Sequence, residues 1–212
     1  MNVLPNKWVF RVKRNSVGFI HHSNSRLVAN GFQFSMKDLG PAHYILGMEL
    51  ICTSSILSLT QTKYAVDLLK RANMHEAKLM PTPVVSCCRL SISDGVLLFD
   101  PTEYLSIVGA LQYLTLTRLD IAFAVNQVCK FMHKPNTIHC LAIMRILHYV
   151  NVTLIHGLLY SPRTLYLNAN SDADYVGDLD DRRSTSGYCF YFGTNLISWS
   201  SKKQRGVSPL QY

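Results

Sequence analysis

Apolar residues in this chain keep two different periods, and the switch between them restricts the fold to one that mixes helices with antiparallel strands. From Pro101 to Val150 the spacing is helical. Tyr104, Ile107, Val108, Leu111 and Leu114 form one stripe, Ile121 to His133 carries a second helix, and Thr137 to Val150 a third, capped by Asn136 or Thr137. Pro101 suits a helix start, and Pro135 separates the second helix from the third. On either side the period falls to two. Lys7 to Lys13 alternates apolar with basic residues, Arg14 to Gly18 supplies a turn and Phe19 to Ala29 returns, which predicts a basic hairpin. Beyond Gly157, the segments 157–160, 165–169, 187–192 and 196–199 read as strands of one sheet, with Gly193, Thr194 and Asn195 as a hairpin turn.

Between these regions a strand pair is predicted at 42–52 and 56–59. A helix over 61–73 follows, burying Tyr64, Ala65, Leu68, Leu69 and Ala72. From Met74 to Pro101 both periods fail: Pro81, Pro83, Pro101, Gly95 and the Cys87 and Cys88 pair mark an extended connector. With 212 residues and 48% apolar content, the chain has enough material for a packed core. There is no internal repeat and no low-complexity tract.

Twenty-one Lys and Arg against thirteen Asp and Glu give a formal net charge of +8, which favours a polyanionic partner such as RNA, DNA or their hybrid. The charge is uneven. The first 35 residues carry Lys7, Arg11, Lys13, Arg14 and Arg26 and no acid, while Lys202, Lys203 and Arg205 form a second basic group. The six cysteines include no Cys-x-x-Cys pair, which points to free thiols in a reducing, intracellular compartment, cytoplasm or nucleus. Cys129, His133, His139 and Cys140 match no common zinc spacing, so core thiols and scattered histidines are expected. No signal peptide is legible, and the apolar stretch 104–128 is broken by Gln112, Arg118 and Asp120, which argues against a membrane span.

Five of the thirteen carboxylates, Asp172, Asp174, Asp178, Asp180 and Asp181, fall within ten residues. Such a cluster reads either as an acidic metal site at a strand end, suited to Mg²⁺, or as a solvated turn neutralised by Arg182 and Arg183. A calcium loop of the EF-hand type is disfavoured: counted from Asp172, Gly177 is in place, but Arg183 stands where the bidentate Glu belongs.

Several blocks in order carry a resemblance: KWVFRVKR (7–14), RLVANGF (26–32), MKDLGPAHYILGMEL (36–50), LTQTKYAVDLLKRANM (59–74), TPV (82–84), the region 104–160, and SDADYVGDLDDRRSTSGYCFYFGTNLISWSSKKQ (171–204). Together they are similar to the reverse transcriptase and ribonuclease H region of copia-type retrotransposon Pol polyproteins. The resemblance implies an α+β fold in three parts. Residues 1–33 would be a fingers remnant built on the short basic hairpin. Residues 34–155 would hold the palm end, a primer-grip-like hairpin and thumb-like helices, and residues 156–212 an incomplete ribonuclease H-like sheet.

The ancestral activity would be RNA-directed DNA synthesis with cleavage of RNA in hybrids, using Mg²⁺. By the same resemblance, Arg26 matches a fingers arginine that touches the incoming triphosphate, with Asn24 replacing the usual lysine, and Leu46, Gly47 and Met48 match the primer grip. Asp172 matches the first ribonuclease H carboxylate, and so the first metal ligand. The family's palm segment, with its catalytic aspartates, is missing where Gly31 to Phe34 runs into FSMKDLG, leaving only Asp38 and Glu49 nearby. The later ribonuclease H carboxylates would fall beyond Tyr212, after a divergence near Pro209. Asn30, Leu119, and Asn151 with Val152 depart from the family's lysine, proline and lysine-glycine. One carboxylate does not position two metal ions, so the expectation is an inactive enzyme that retains no cofactor and keeps a nucleic-acid-binding surface. Its incomplete sheet would leave an open edge for self-association. The alternatives are a binding module kept by a host, plant by analogy, or a protein-interaction or effector role. For the last, the nearest approach to Arg-x-Leu-Arg is Arg145 to His148.

Overall fold

A computed structural model describes residues 6–14, 20–29, 32–33, 43–74, 80–85, 89–162, 166–175 and 177–206, the first three stretches as backbone. Residues 15–18 of the turn predicted from Arg14 to Gly18, the junction around Asp38, the Cys87 and Cys88 pair and the divergence after Val207 lie outside these residues. The chain separates into two compact units, Met1–Ala42 and His43–Tyr212.

In the first unit, β1 (Asn6–Arg14) pairs antiparallel with β2 (Ile20–Ala29), which pairs with the short β3 (Phe32–Gln33). The expected basic hairpin is therefore present as a ladder, with a register irregularity between Lys13 and Arg14.

The second unit is built on helices α1 (Thr62–Arg71), α2 (Thr102–Leu114), α3 (Leu119–Cys129) and α4 (Thr137–Val152). Their apolar stripes meet in one core, in which Leu68, Leu111, Ile121, Ile146, Leu147 and Val150 are almost wholly buried. α2 and α4 follow the predicted spacing closely. α3 starts two residues earlier than expected and ends at Cys129, because the backbone N–H groups of Lys130 and Phe131 turn back to the carbonyls of Gln127 and Val128 in a tight closing turn.

Of the two cap candidates for α4, Asn136 is the one used. Its side chain accepts from the His139 N–H at 3.0 Å, and His139 Nδ1 accepts from the Asn136 N–H at 3.2 Å. This is a reciprocal capping box with histidine in the place of Glu or Gln. His139 Nε2 faces the Ser91 carbonyl at 3.1 Å, so both ring nitrogens are committed and the neutral Nε2–H tautomer is fixed. Burial first, resisted by the Ser91 contact, pushes its pKa below the usual value.

Strands β4 (Tyr44–Ile45), β5 (Met48–Cys52), β6 (Leu57–Thr60) and β7 (Gly157–Tyr160) form one antiparallel sheet in chain order. The other sheet has the order β10-β9-β8, from β8 (Leu167–Ala173), β9 (Thr185–Phe192) and β10 (Asn195–Lys203). The expectation that 157–160 joins the later strands is thus corrected. Its partner is β6, with Gly157 opposite Thr60 and Tyr160 opposite Leu57. Alternation identifies a strand, but it carries no information about which neighbour the strand will choose.

Candidate functional site

The first candidate is the β1/β2 ribbon. Directly opposed residues of an antiparallel pair share a face, and faces alternate along each strand. Lys7 lies opposite Val28, Val9 opposite Arg26, Arg11 opposite Asn24 and Lys13 opposite His22. The register therefore gathers Lys7, Arg11, Lys13 and Arg26, with His22 and Asn24, on one face. Trp8, Phe10 and Val12 fall on the other, opposite Leu27, Ser25 and Ser23. Arg14 lies past the register irregularity, outside this set.

The second candidate is the β4/β5 turn. Leu46 and Gly47 both have positive φ, 49° and 72°, the conformation that a two-residue primed turn demands. Glycine accepts it freely, whereas Leu46 is strained and needs outside support. That support comes from α2: the Tyr113 hydroxyl donates to the Leu46 carbonyl, and the Tyr113 ring meets Tyr64 edge-on at 5.0 Å. Met48 opens β5. Next to it, Glu49 accepts from the Thr60 hydroxyl at 3.3 Å and the Lys63 N–H at 2.9 Å, so it caps the start of α1 in place of Gln61.

The acidic run supplies the third candidate, and its carboxylates are mostly spoken for. Asp172, exposed on β8, accepts from the N–H of its neighbour Ala173 at 2.8 Å. Asp174 accepts from the Thr185 N–H, and a side chain at Gly177 would collide with that carboxylate. Asp180 accepts from the Ser91 hydroxyl at 2.6 Å and the Ile92 N–H at 3.1 Å, tying the connector to the loop. Asp178 is the centre: it accepts from Lys203 at 2.7 Å, Lys130 at 3.4 Å and the N–H groups of Asp180 and Asp181. Burial would raise its pKa, but the Lys203 hydrogen bond and the two N–H donors outweigh burial and hold it down to about 2.

On the solvated-turn reading, neutralisation of the run falls to Arg182 and Arg183. The structure assigns most of it to Lys130 and Lys203, with Arg183 reaching only Asp181, at 3.4 Å. Lys203, read from sequence as a nucleic-acid contact, is bound to both Asp178 and Asp181, while Lys202 and Arg205 stay exposed. Among the described residues no three His, Cys, Asp or Glu side chains converge to hold a metal ion. The donor set around Asp172 therefore does not fit the Mg²⁺ that the resemblance implied for it. His139 is stacked on Phe131 at 3.9 Å between ring centres, and burial pushes the thiols of Cys129 and Cys140 up.

Sequence reasoning missed the Arg118 network. Arg118, 2% exposed, grips Asp120 through Nε at 2.9 Å and Nη2 at 2.7 Å and donates from Nη1 to the Thr153 carbonyl at 2.8 Å. It thereby ties the start of α3 to the end of α4. An Arg-x-Asp spacing just before an apolar helix is the signal that could have found it.

The chain is 47% identical, over 82% of its residues, to an uncharacterized mitochondrial protein of Arabidopsis thaliana, AtMg00810, and covers 73% of that protein. It is 50% identical over the same share to the retrovirus-related Pol polyprotein from transposon RE1 of Arabidopsis thaliana. The chain is homologous to the Pol polyproteins of copia-type retrotransposons. It spans 12% of the length of the RE1 Pol polyprotein. A secreted RxLR effector protein 161 of Plasmopara viticola shares 45% identity over half of the chain, covering 75% of that protein. No protein-family model and no solved structure matches the chain. Among its described residues this Pol relative has no helix long and apolar enough to cross a membrane.

Proposed function

We propose that this chain is the reverse transcriptase and ribonuclease H region of a copia-type Pol polyprotein that has lost catalysis and keeps a nucleic-acid-binding surface. The observation that carries the reading is the β1/β2 register, which lines four cations along one face of a ribbon. Side-chain positions two apart on a strand are separated by about 6.8 Å, so such a face can follow a phosphate backbone without reading bases. Against catalysis stand the missing palm segment at Gly31 to Phe34 and the engagement of Asp172 with its own strand. Nucleotidyl transfer and hybrid cleavage both need two divalent ions about 4 Å apart, held by converging carboxylates.

The test is binding of the purified chain to a labelled RNA–DNA hybrid across a salt series with Mg²⁺ present, with product lengths read from the same samples. The four phosphates neutralised by the ribbon predict a log–log salt slope of at least about 3.5 in magnitude, or at least roughly a hundredfold loss of affinity between 50 and 200 mM salt. Metal-dependent extension or cleavage would defeat the inactive reading, and a flat salt response would defeat the binding reading. Similarity to the Plasmopara viticola protein keeps an effector role as a second reading. That role predicts a protein partner and no salt-sensitive hybrid binding.

A further inference from the structure

A cleft of about 640 Å³ opens between α3, α4 and the connector, in the size range of small-molecule sites, about 300–1,000 Å³. Its walls are largely apolar, with Phe123 and Val128 from α3, Leu141 and Met144 from α4, and Val84 and Leu90 from the connector. Phe123 is 48%, Leu141 60% and Met144 44% exposed, so this lining faces solvent and is not spare core.

Arg145 and His148, one turn apart on α4, give the cleft a polar end, and Arg89 also lines it. The Arg145 guanidinium has only neutral partners: Nη2 donates to the Thr82 hydroxyl at 2.8 Å, and Nη1 meets Met80 Sδ at 4.0 Å. Its Nε is hidden from water without an acceptor, and His148 Nδ1 is equally without a partner. Among the described residues no carboxylate pairs with Arg145. The two acids lining the cleft are already engaged, Asp178 with Lys130 and Lys203, and Asp174 with the Thr185 N–H. An unneutralised, half-buried guanidinium beside the orphaned His148 Nδ1 is costly until an anion arrives.

We propose that this cleft binds an amphipathic monocarboxylate, its apolar body along Phe123, Leu141 and Met144 and its carboxylate on Arg145 and His148. Thioether sulfur is a weak acceptor, so an incoming carboxylate displaces Met80 from Nη1, and its two oxygens accept parallel N–H bonds from Nη1 and Nη2. His148, with its proton on Nδ1, donates the third. Size and polarity suit a medium-chain fatty acid.

The experiment is calorimetric titration of the full chain at pH 7.5 with dodecanoate, dodecanol and dodecylamine, each below its aggregation limit. Dodecanoate should bind at one site, dodecanol about tenfold or more weakly, and dodecylamine without saturation. Arg145→Met keeps the apolar stem and should erase the preference for dodecanoate over dodecanol, while Leu141→Ala should weaken both. Equal affinity for dodecanoate and dodecanol, or no saturable site, overturns the proposal. That comparison uses the unaltered chain, so it decides the matter even if Arg145→Met fails to fold.

Discussion

Asp178 shows how a single side chain turns a repulsive sequence into a stable loop. Its carboxylate, 7% exposed, collects two lysines and two backbone N–H groups, so the charge is solvated by the protein in place of water. Because its pKa is held near 2 in the folded chain against 3.8 in the unfolded one, the stabilisation is complete above pH 3.8 and is lost as pH falls through about 2. His139 acts in a different window. Its folded pKa lies below the unfolded 6.5, so its contribution is complete above pH 6.5 and is lost as pH falls below that toward its folded value. Replacing Asp178→Asn leaves Lys130 facing a neutral group and Lys203 with Asp181 alone, and should cost about 3 kcal/mol at pH 7. Urea denaturation should show that deficit shrinking as pH drops from 3.8 toward 2, whereas an exposed, unpaired aspartate would show no pH-dependent deficit.

At the scale of elements, Leu119 occupies the first position of α3, where its backbone N–H needs no helical partner and proline would be accepted. Arg118 before it already lies outside the helical region, with φ −122° and ψ 84°. Leu119→Pro, the residue the family resemblance expects there, should therefore raise stability by about 0.5 kcal/mol by restricting the unfolded chain. A drop in melting temperature would show that the Leu119 side chain matters more than its backbone. The helices were legible because each buries one stripe, and that periodicity survives in sequence through Tyr104, Val108 and Leu111. β8 was placed too early for the opposite reason. Every residue from Leu167 to Ala173 is exposed, so Asn168, Asn170 and Asp172 alternate with nothing that the core demands. As an edge strand bonded to β9 on one side, β8 turns the N–H groups of Leu167, Ala169, Ser171 and Ala173 outward, and Asp172 covers the last of these. The carboxylate read from family resemblance as catalytic thus blocks part of an open sheet edge. No local pattern announced the partners of Asp178, since Lys130 comes from the turn that closes α3 and Lys203 from the end of β10.

For the whole molecule, the division into Met1–Ala42 and His43–Tyr212 makes the nucleic-acid reading separable from the stability of the helical unit. The ribbon's four aligned cations lie entirely in the first unit, and the second contributes Lys202 and Arg205 as exposed cations of the C-terminal basic group. Counterion release counts phosphates neutralised, so the salt slope reports how many cations each unit supplies. A chain lacking Met1–Ala42 should keep its cooperative unfolding and lose about 3.5 from the slope, while Lys202→Ala with Arg205→Ala should remove at most about 2. Lys203→Ala should behave differently from both, because its ammonium is already bound to Asp178 and Asp181. It should lower stability and leave the slope unchanged. If deleting the first unit leaves hybrid binding intact, the basic ribbon is not the binding surface. The positive charge of the chain would then need another explanation, centred on the His43–Tyr212 unit.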